Sequence, residues 1–152
     1  ATFLKNTLTR ISRSLGYSYD ETQAMIARSF MISADNGHAL HPNHGEYADP
    51  VNAPRLNEGI IIKFNAQQRY ATDGFSAAFF RNLCRRVEVP TQTFTNRSDI
   101  PGGSTLGNIS NTKVSMPTVD IGLPQLAMHS SYETAGTKDT AYLVTACTAF
   151  FE

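Results

Sequence analysis

The chain has 152 residues, which suits one domain or a large part of one. Lys plus Arg number 13 and Asp plus Glu number 13, so the formal net charge is zero and bulk attraction to nucleic acid or an anionic membrane is excluded. Apolar residues make up 41%, enough to bury a sizeable core, and no apolar run approaches the length of a membrane span.

Leu4, Leu8, Ile11 and Leu15 share one face of an expected helix, with Thr2 as its N-cap and Gly16 as its stop. A second, short helix fits Asp20 to Ser29, where Asp20 and Gln23 have capping-box spacing. Phe30 to Ala34 reads as a buried strand that ends on Asp35. From Asn36 to Asn57 there is no periodicity, and a loop of that length in a domain tends to be functional. Gly59 to Phe64 predicts a strand.

A helix follows from about Asp73 to Glu88, with Phe75, Ala78, Phe79, Leu83 and Val87 expected on its buried face. Gln92 to Thr95 fits a strand. Ile100 to Thr105 is a glycine turn expected to open a short helix, and Met116 to Ile121 predicts another strand. A loop through Pro124 and His129 leads to a terminal helix from about Lys138. That helix is apolar nearly all round, so burial is expected. Strands and helices alternate and the strands are continuous apolar runs, which predicts an α/β layered domain with a largely buried sheet.

Three of the four histidines, His38, His41 and His44, lie within ten residues that begin at Asp35. An acidic residue at a strand end followed by histidines suits metal binding or acid–base work. It equally suits a polar surface loop in which Asp35 caps a turn. His129 follows the second strand that carries an aspartate, and Glu133 stands four residues on, within reach as a supporting carboxylate. Lys63 interrupts an apolar strand, so it either snorkels to the surface or faces a cleft. Tyr70 is either a core aromatic or a functional hydroxyl.

No serine stands in the Gly-x-Ser-x-Gly context of a nucleophile elbow, and Gly102-Gly103-Ser104 lacks the lysine of a phosphate loop. Cys84 and Cys147 have no metal-ligand spacing. They read as buried free thiols of a reducing compartment, and no secretory signal opens the chain. A cytoplasmic location is therefore expected.

Three blocks together carry a resemblance. They are Ser29 to Asp35 running on to His38, His41, Pro42 and Asn43; Lys63 through Asn65 to Gln68-Arg69-Tyr70-Ala71; and Pro124-Gln125-Leu126-Ala127-Met128-His129-Ser130. In this order and at these separations they resemble the aspartyl aminopeptidase family of zinc exopeptidases. The resemblance spans nearly the whole chain. It implies a layered α/β/α sandwich with a mixed sheet, incomplete here, with residues 1–152 forming the C-terminal part of a catalytic domain.

The resemblance also implies a site. Asp35 would bind one zinc ion and His129 the other, while His38, Lys63 and Tyr70 would contact the peptide substrate. The implied activity is removal of N-terminal residues, acidic ones among them, by a hydroxide shared between two metals. The implied assembly is a tetrahedral dodecamer, built with the help of a β-rich domain inserted in the full-length chain. Ile100-Pro101-Gly102-Gly103-Ser104-Thr105 is closer to the bacterial pattern of that family, which leaves the preferred N-terminal residue open.

The family site also needs another histidine, a bridging aspartate and a Glu-Glu pair, one glutamate of which is the general base. None has a counterpart here, so no catalytic residue is expected within these 152 residues, and negligible activity is expected of them alone. A non-catalytic assembly or binding module on a peptidase scaffold is the alternative from another class.

Overall fold

The computed structural model describes residues 2–152. Two helices come first, α1 (Thr2–Ser14) and α2 (Tyr19–Ala27), followed by strands β1 (Met31–Ala34) and β2 (Gly37–His38). Then come β3 (Ile60–Phe64), α3 (Gly74–Arg86), β4 (Thr91–Thr95) and α4 (Leu106–Asn111). The chain continues through β5 (Thr118–Gly122), β6 (Pro124–Leu126) and β7 (Thr134–Ala135) to α5 (Thr137–Phe151).

Four strands form a mixed sheet in the order β1-β5-β3-β4. β1 runs parallel to β5, β3 parallel to β4, and β3 antiparallel to β5. Alternation along the strands sends successive side chains to opposite faces. On one face Ile60, Ile62, Val119 and Ile121 form a core with Ala77, Phe80, Leu83 and Cys84 of α3 and Ala146 of α5. On the other, Ile61 packs with Tyr70 and Phe94. Gly107 of α4 lies on that second face, close to Ser33 and Asp120. The result is the expected layered α/β fold, with α3 and α5 on one side of the sheet and α4 on the other.

The β1–β5 pairing does not stop where the strands do. Asp35 N–H donates to the Ile121 carbonyl at 3.0 Å, Gly37 N–H to the Leu123 carbonyl at 3.0 Å, and Ala39 N–H to the Gln125 carbonyl at 2.9 Å. This run becomes a second, three-stranded sheet ordered β2-β6-β7, with β2 parallel to β6. The segment expected as a loop through Pro124 is therefore partly strand, and β2 breaks up the expected loop from Asn36. A proline tolerates this position because β6 begins on it.

Four helical expectations are corrected. Thr2 is the first helical residue of α1 rather than its cap. Ser18, not Asp20, caps α2: its Oγ accepts from Glu21 N–H and the Glu21 carboxylate accepts from Ser18 N–H. The buried face of α3 is Ser76, Ala77, Phe80, Leu83 and Cys84, and Phe75 is 63% exposed. α5 is not buried all round: Ala146 is its one fully buried apolar residue, while Val144 and Phe151 are 61% and 84% exposed.

Candidate active site

β1 and β5 are parallel neighbours, so their C-terminal ends open on the same edge of the sheet, where α/β folds gather ligands. Asp35 follows β1 directly. His129 follows β6, the continuation of β5. A cavity of about 590 Å³ lies between them, and Asp35, His38, Lys63, Tyr70 and His129 all line it. The five residues named from the sequence thus share one cleft, although 94 positions separate the first from the last.

Local chemistry fixes each of them. Gly122 lets the backbone after β1 approach β5 closely, because a Cβ there would run into the Asp35 carbonyl. Asn36 clamps the same crossing: its side-chain N–H donates to Gln125 Oε1 at 3.0 Å, and its Oδ1 accepts from Leu123 N–H at 3.4 Å. His129 has a left-handed backbone, φ 71°, as does Ala127, φ 53°. This tight turn is tied by Ser130 N–H to the Ala127 carbonyl at 3.0 Å. Glu133 accepts from the His129 main-chain N–H at 2.6 Å. The glutamate therefore supports the turn through the backbone, not through the imidazole.

Lys63 does not snorkel. It is 2% exposed, points to the cleft face of β3, and donates from Nζ to the Asn36 carbonyl at 2.9 Å. Its ammonium sits 5.5 Å from the Tyr70 ring centroid. Burial pushes the Lys63 ammonium below the ordinary lysine value, and the charges of Asp35 and Asp120 oppose that shift. Burial pushes the Tyr70 hydroxyl up, helped by the same two aspartates. That hydroxyl donates to Asn96 Oδ1 at 3.4 Å. Burial pushes His38 below the ordinary imidazole value, and His129 and Lys63 act in the same direction. His38 is therefore biased to the neutral form that can accept or relay a proton.

Asp35 and His129 are an oxygen and a nitrogen donor, a pairing that suits zinc. Among the described residues, however, no group of three or more His, Cys, Asp or Glu side chains is placed to hold a metal ion. The two fit a zinc site as part of its ligand set and do not complete one.

The sequence reading missed Asn36, Gln125, Asn96 and Thr105, all of which line the cleft. It named Asp120 only as part of a strand. Single polar residues in turns carry no pattern, but Asp120 left a signal, a carboxylate inside an apolar strand.

The layered α/β domain thus places a carboxylate and an imidazole on one cleft at the C-terminal ends of parallel strands. Residues 1–151 match the family model described as Aminopeptidase I zinc metalloprotease (M18), and the chain belongs to that family. It is 49% identical over 144 residues to the probable M18 family aminopeptidase 2 of Stutzerimonas stutzeri, covering 95% of this chain and 34% of that protein. It is 48% identical over 141 residues to the protein of the same name from Clostridium acetobutylicum, covering 93% of this chain and 33% of that one. The chain thus spans about a third of the length of these relatives.

Solved structures agree. A chain from the cryo-EM structure of the Ape4 and Nbr1 complex is 39% identical with a TM-score of 0.95, over 99% of this chain and 29% of that one. A chain of the S. cerevisiae mApe1 dodecamer is 30% identical with a TM-score of 0.74, over 85% of this chain and 28% of that one. The M18 aminopeptidase of Thermotoga maritima, 23% identical with a TM-score of 0.88 over 99% of this chain and 35% of that one, shares the fold. Among the described residues no helix is long and apolar enough to cross a membrane.

Proposed function

We propose that residues 1–152 are the C-terminal part of the catalytic domain of a zinc aminopeptidase that removes N-terminal residues, acidic ones among them, from peptides. The observation that carries this reading is the convergence of Asp35, His38, Lys63, Tyr70 and His129 on one cleft in a chain of the M18 family. Asp35 and His129 each contribute one ligand to a site for two zinc ions, and the remaining ligands and the general base come from residues outside this segment. Zinc held there would supply Lewis-acid polarisation of the scissile carbonyl and an activated water.

The rest follows from this chain's own groups. Lys63 is a buried cation on the cleft face, suited to a substrate carboxylate or to the charge that develops on the carbonyl oxygen. Tyr70 supplies a hydroxyl beside it. His38, biased to its neutral form, accepts a hydrogen bond from the substrate or holds its main chain. The dodecamer formed by S. cerevisiae mApe1 supports a homo-oligomer, a tetrahedral dodecamer, for the full-length protein. The two free cysteines accord with a cytoplasmic location.

The test uses the full-length protein that carries this segment. It should hydrolyse aminoacyl p-nitroanilides, lose activity to 1,10-phenanthroline and regain it with zinc, while residues 1–152 alone show no turnover. Hydrolysis that survives chelation, or that the isolated segment performs, contradicts the reading.

A further inference from the structure

We propose that Asp120 is a positioning residue that locks two walls of the substrate cleft to each other from beneath. Asp120 is 0% exposed and is not itself among the residues that line the cavity. It lies at the centre of β5, on the sheet face that carries Lys63 and Ile61. A carboxylate wholly removed from water is costly unless its oxygens are bonded.

Both oxygens are bonded, and to different walls. Oδ2 accepts from Ala71 N–H at 2.6 Å, next to Tyr70. Oδ1 accepts from Thr105 Oγ at 2.7 Å, at the end of the glycine turn that lines the cleft. The main chain of Asp120 reinforces the first wall: its N–H meets Thr72 Oγ at 2.8 Å. Gly107 completes the second, since a Cβ there would collide with Asp120 Oδ1 and Ser33 Oγ, so α4 seats directly on the carboxylate.

One buried group thus spans from the Tyr70 segment to the Ile100–Thr105 turn. Neither segment has regular secondary structure from residue 65 to residue 73 or from 100 to 105. Ser104 Oγ also donates to the Arg69 carbonyl, but at 3.4 Å, so the two short bonds to the Asp120 carboxylate are the stronger tie between Tyr70 and the turn. The same negative charge acts on Lys63 and Tyr70, so the group also tunes the field at the cleft.

The experiment uses the zinc-loaded full-length protein and the variants Asp120→Ala, Asp120→Asn, Thr105→Val and Asp120→Ala/Thr105→Val. It reads kcat, KM, zinc content, and amide hydrogen exchange of peptides covering 68–73 and 100–107. Asp120→Ala is expected to lower kcat/KM by about tenfold or more at unchanged zinc content, with faster exchange confined to those two stretches. Thr105→Val should reproduce the change at 100–107 and add nothing to Asp120→Ala, because both cut one linkage. Asp120→Asn should restore protection and part of the activity: its oxygen still accepts from Ala71, and the Thr105 hydroxyl can turn to accept from its amide.

Wild-type kinetics and exchange in Asp120→Ala, or additive losses in the double variant, would overturn the proposal. The kinetic arm rests on the aminopeptidase reading. If the wild-type protein shows no chelator-sensitive turnover, that reading fails alone and the exchange arm still decides. Should Asp120→Ala fail to fold, Thr105→Val carries the test, and unchanged exchange at 100–107 contradicts it.

Discussion

The Lys63 ammonium donates to the main-chain carbonyl of Asn36 at 2.9 Å, one residue beyond Asp35. A buried cation on β3 is thereby joined to the segment that carries the proposed metal ligand. A charge-assisted hydrogen bond of this kind is worth about 1.5–3 kcal/mol. Lys63→Met in the full-length protein should therefore lower kcat/KM roughly 10- to 100-fold. Zinc content should hold, since Asp35 keeps its own main-chain bond to Ile121. Steady-state kinetics beside metal analysis checks both.

Gly122 offers a test of the backbone crossing. An added methyl group would meet the Asp35 carbonyl, and backbone cannot swing aside as a side-chain tip can. Gly122→Ala should cost about 1–3 kcal/mol of stability and reduce zinc affinity by displacing Asp35. Thermal unfolding and zinc titration of the full-length variant measure the two effects. A variant with unchanged melting and affinity would show that the crossing has slack.

Asp139, wholly buried at the start of α5, accepts from Asn57 N–H at 2.7 Å and from Gly59 N–H at 3.0 Å. It fastens the end of the long loop to the terminal helix just before β3 begins. Asp139→Ala leaves both N–H groups without their partner, at about 1–3 kcal/mol each. Unfolding should occur at a clearly lower temperature, with the first loss of hydrogen-exchange protection at residues 57–59.

The cysteines give a pH prediction. Burial, with a smaller contribution from Cys147, pushes the Cys84 thiol from the ordinary 9.0 up to about 12. The folded protein thus holds this proton where the unfolded chain releases it. The stabilisation is complete below about pH 9, the unfolded thiol value, and is lost as pH rises toward 12. At pH 8 iodoacetamide should label Cys147, which is less buried, before Cys84 in the folded protein, and the two should react at equal rates only once the chain is unfolded. Mass spectrometry of the labelled protein reports the order.

The limits of sequence reading are visible in α3. Phe75, Ala78 and Phe79 form one helical stripe, and Ala77, Phe80 and Cys84 form another, so periodicity alone offers two faces. The sheet selects the second. Phe79 instead packs beside Phe30, with ring centroids 4.4 Å apart, and near Phe150 of α5. α5 misled for a related reason: apolar composition all round does not guarantee apolar neighbours all round.

The candidate site was legible where chemistry is concentrated, at Asp35, at the histidines after it and at a lysine inside an apolar strand. The residues that orient them were not. Asn36 meets Gln125 across 89 positions, where the β1–β5 pairing continues into β2 and β6, and Asp120 meets Ala71 across 49, through the irregular segment after β3. Neither contact has a local pattern; both depend on how distant segments are laid together in the fold.

The most direct test of the account is zinc stoichiometry in the full-length protein bearing Asp35→Ala or His129→Ala, measured with aminopeptidase activity on the same samples. If the two residues each hold one ion, the unaltered protein carries about two zinc ions per active site, each variant carries about one, and both variants are inactive while still folded. Variants that retain the full zinc complement and full activity would contradict the assignment of Asp35 and His129 as the metal ligands of this cleft.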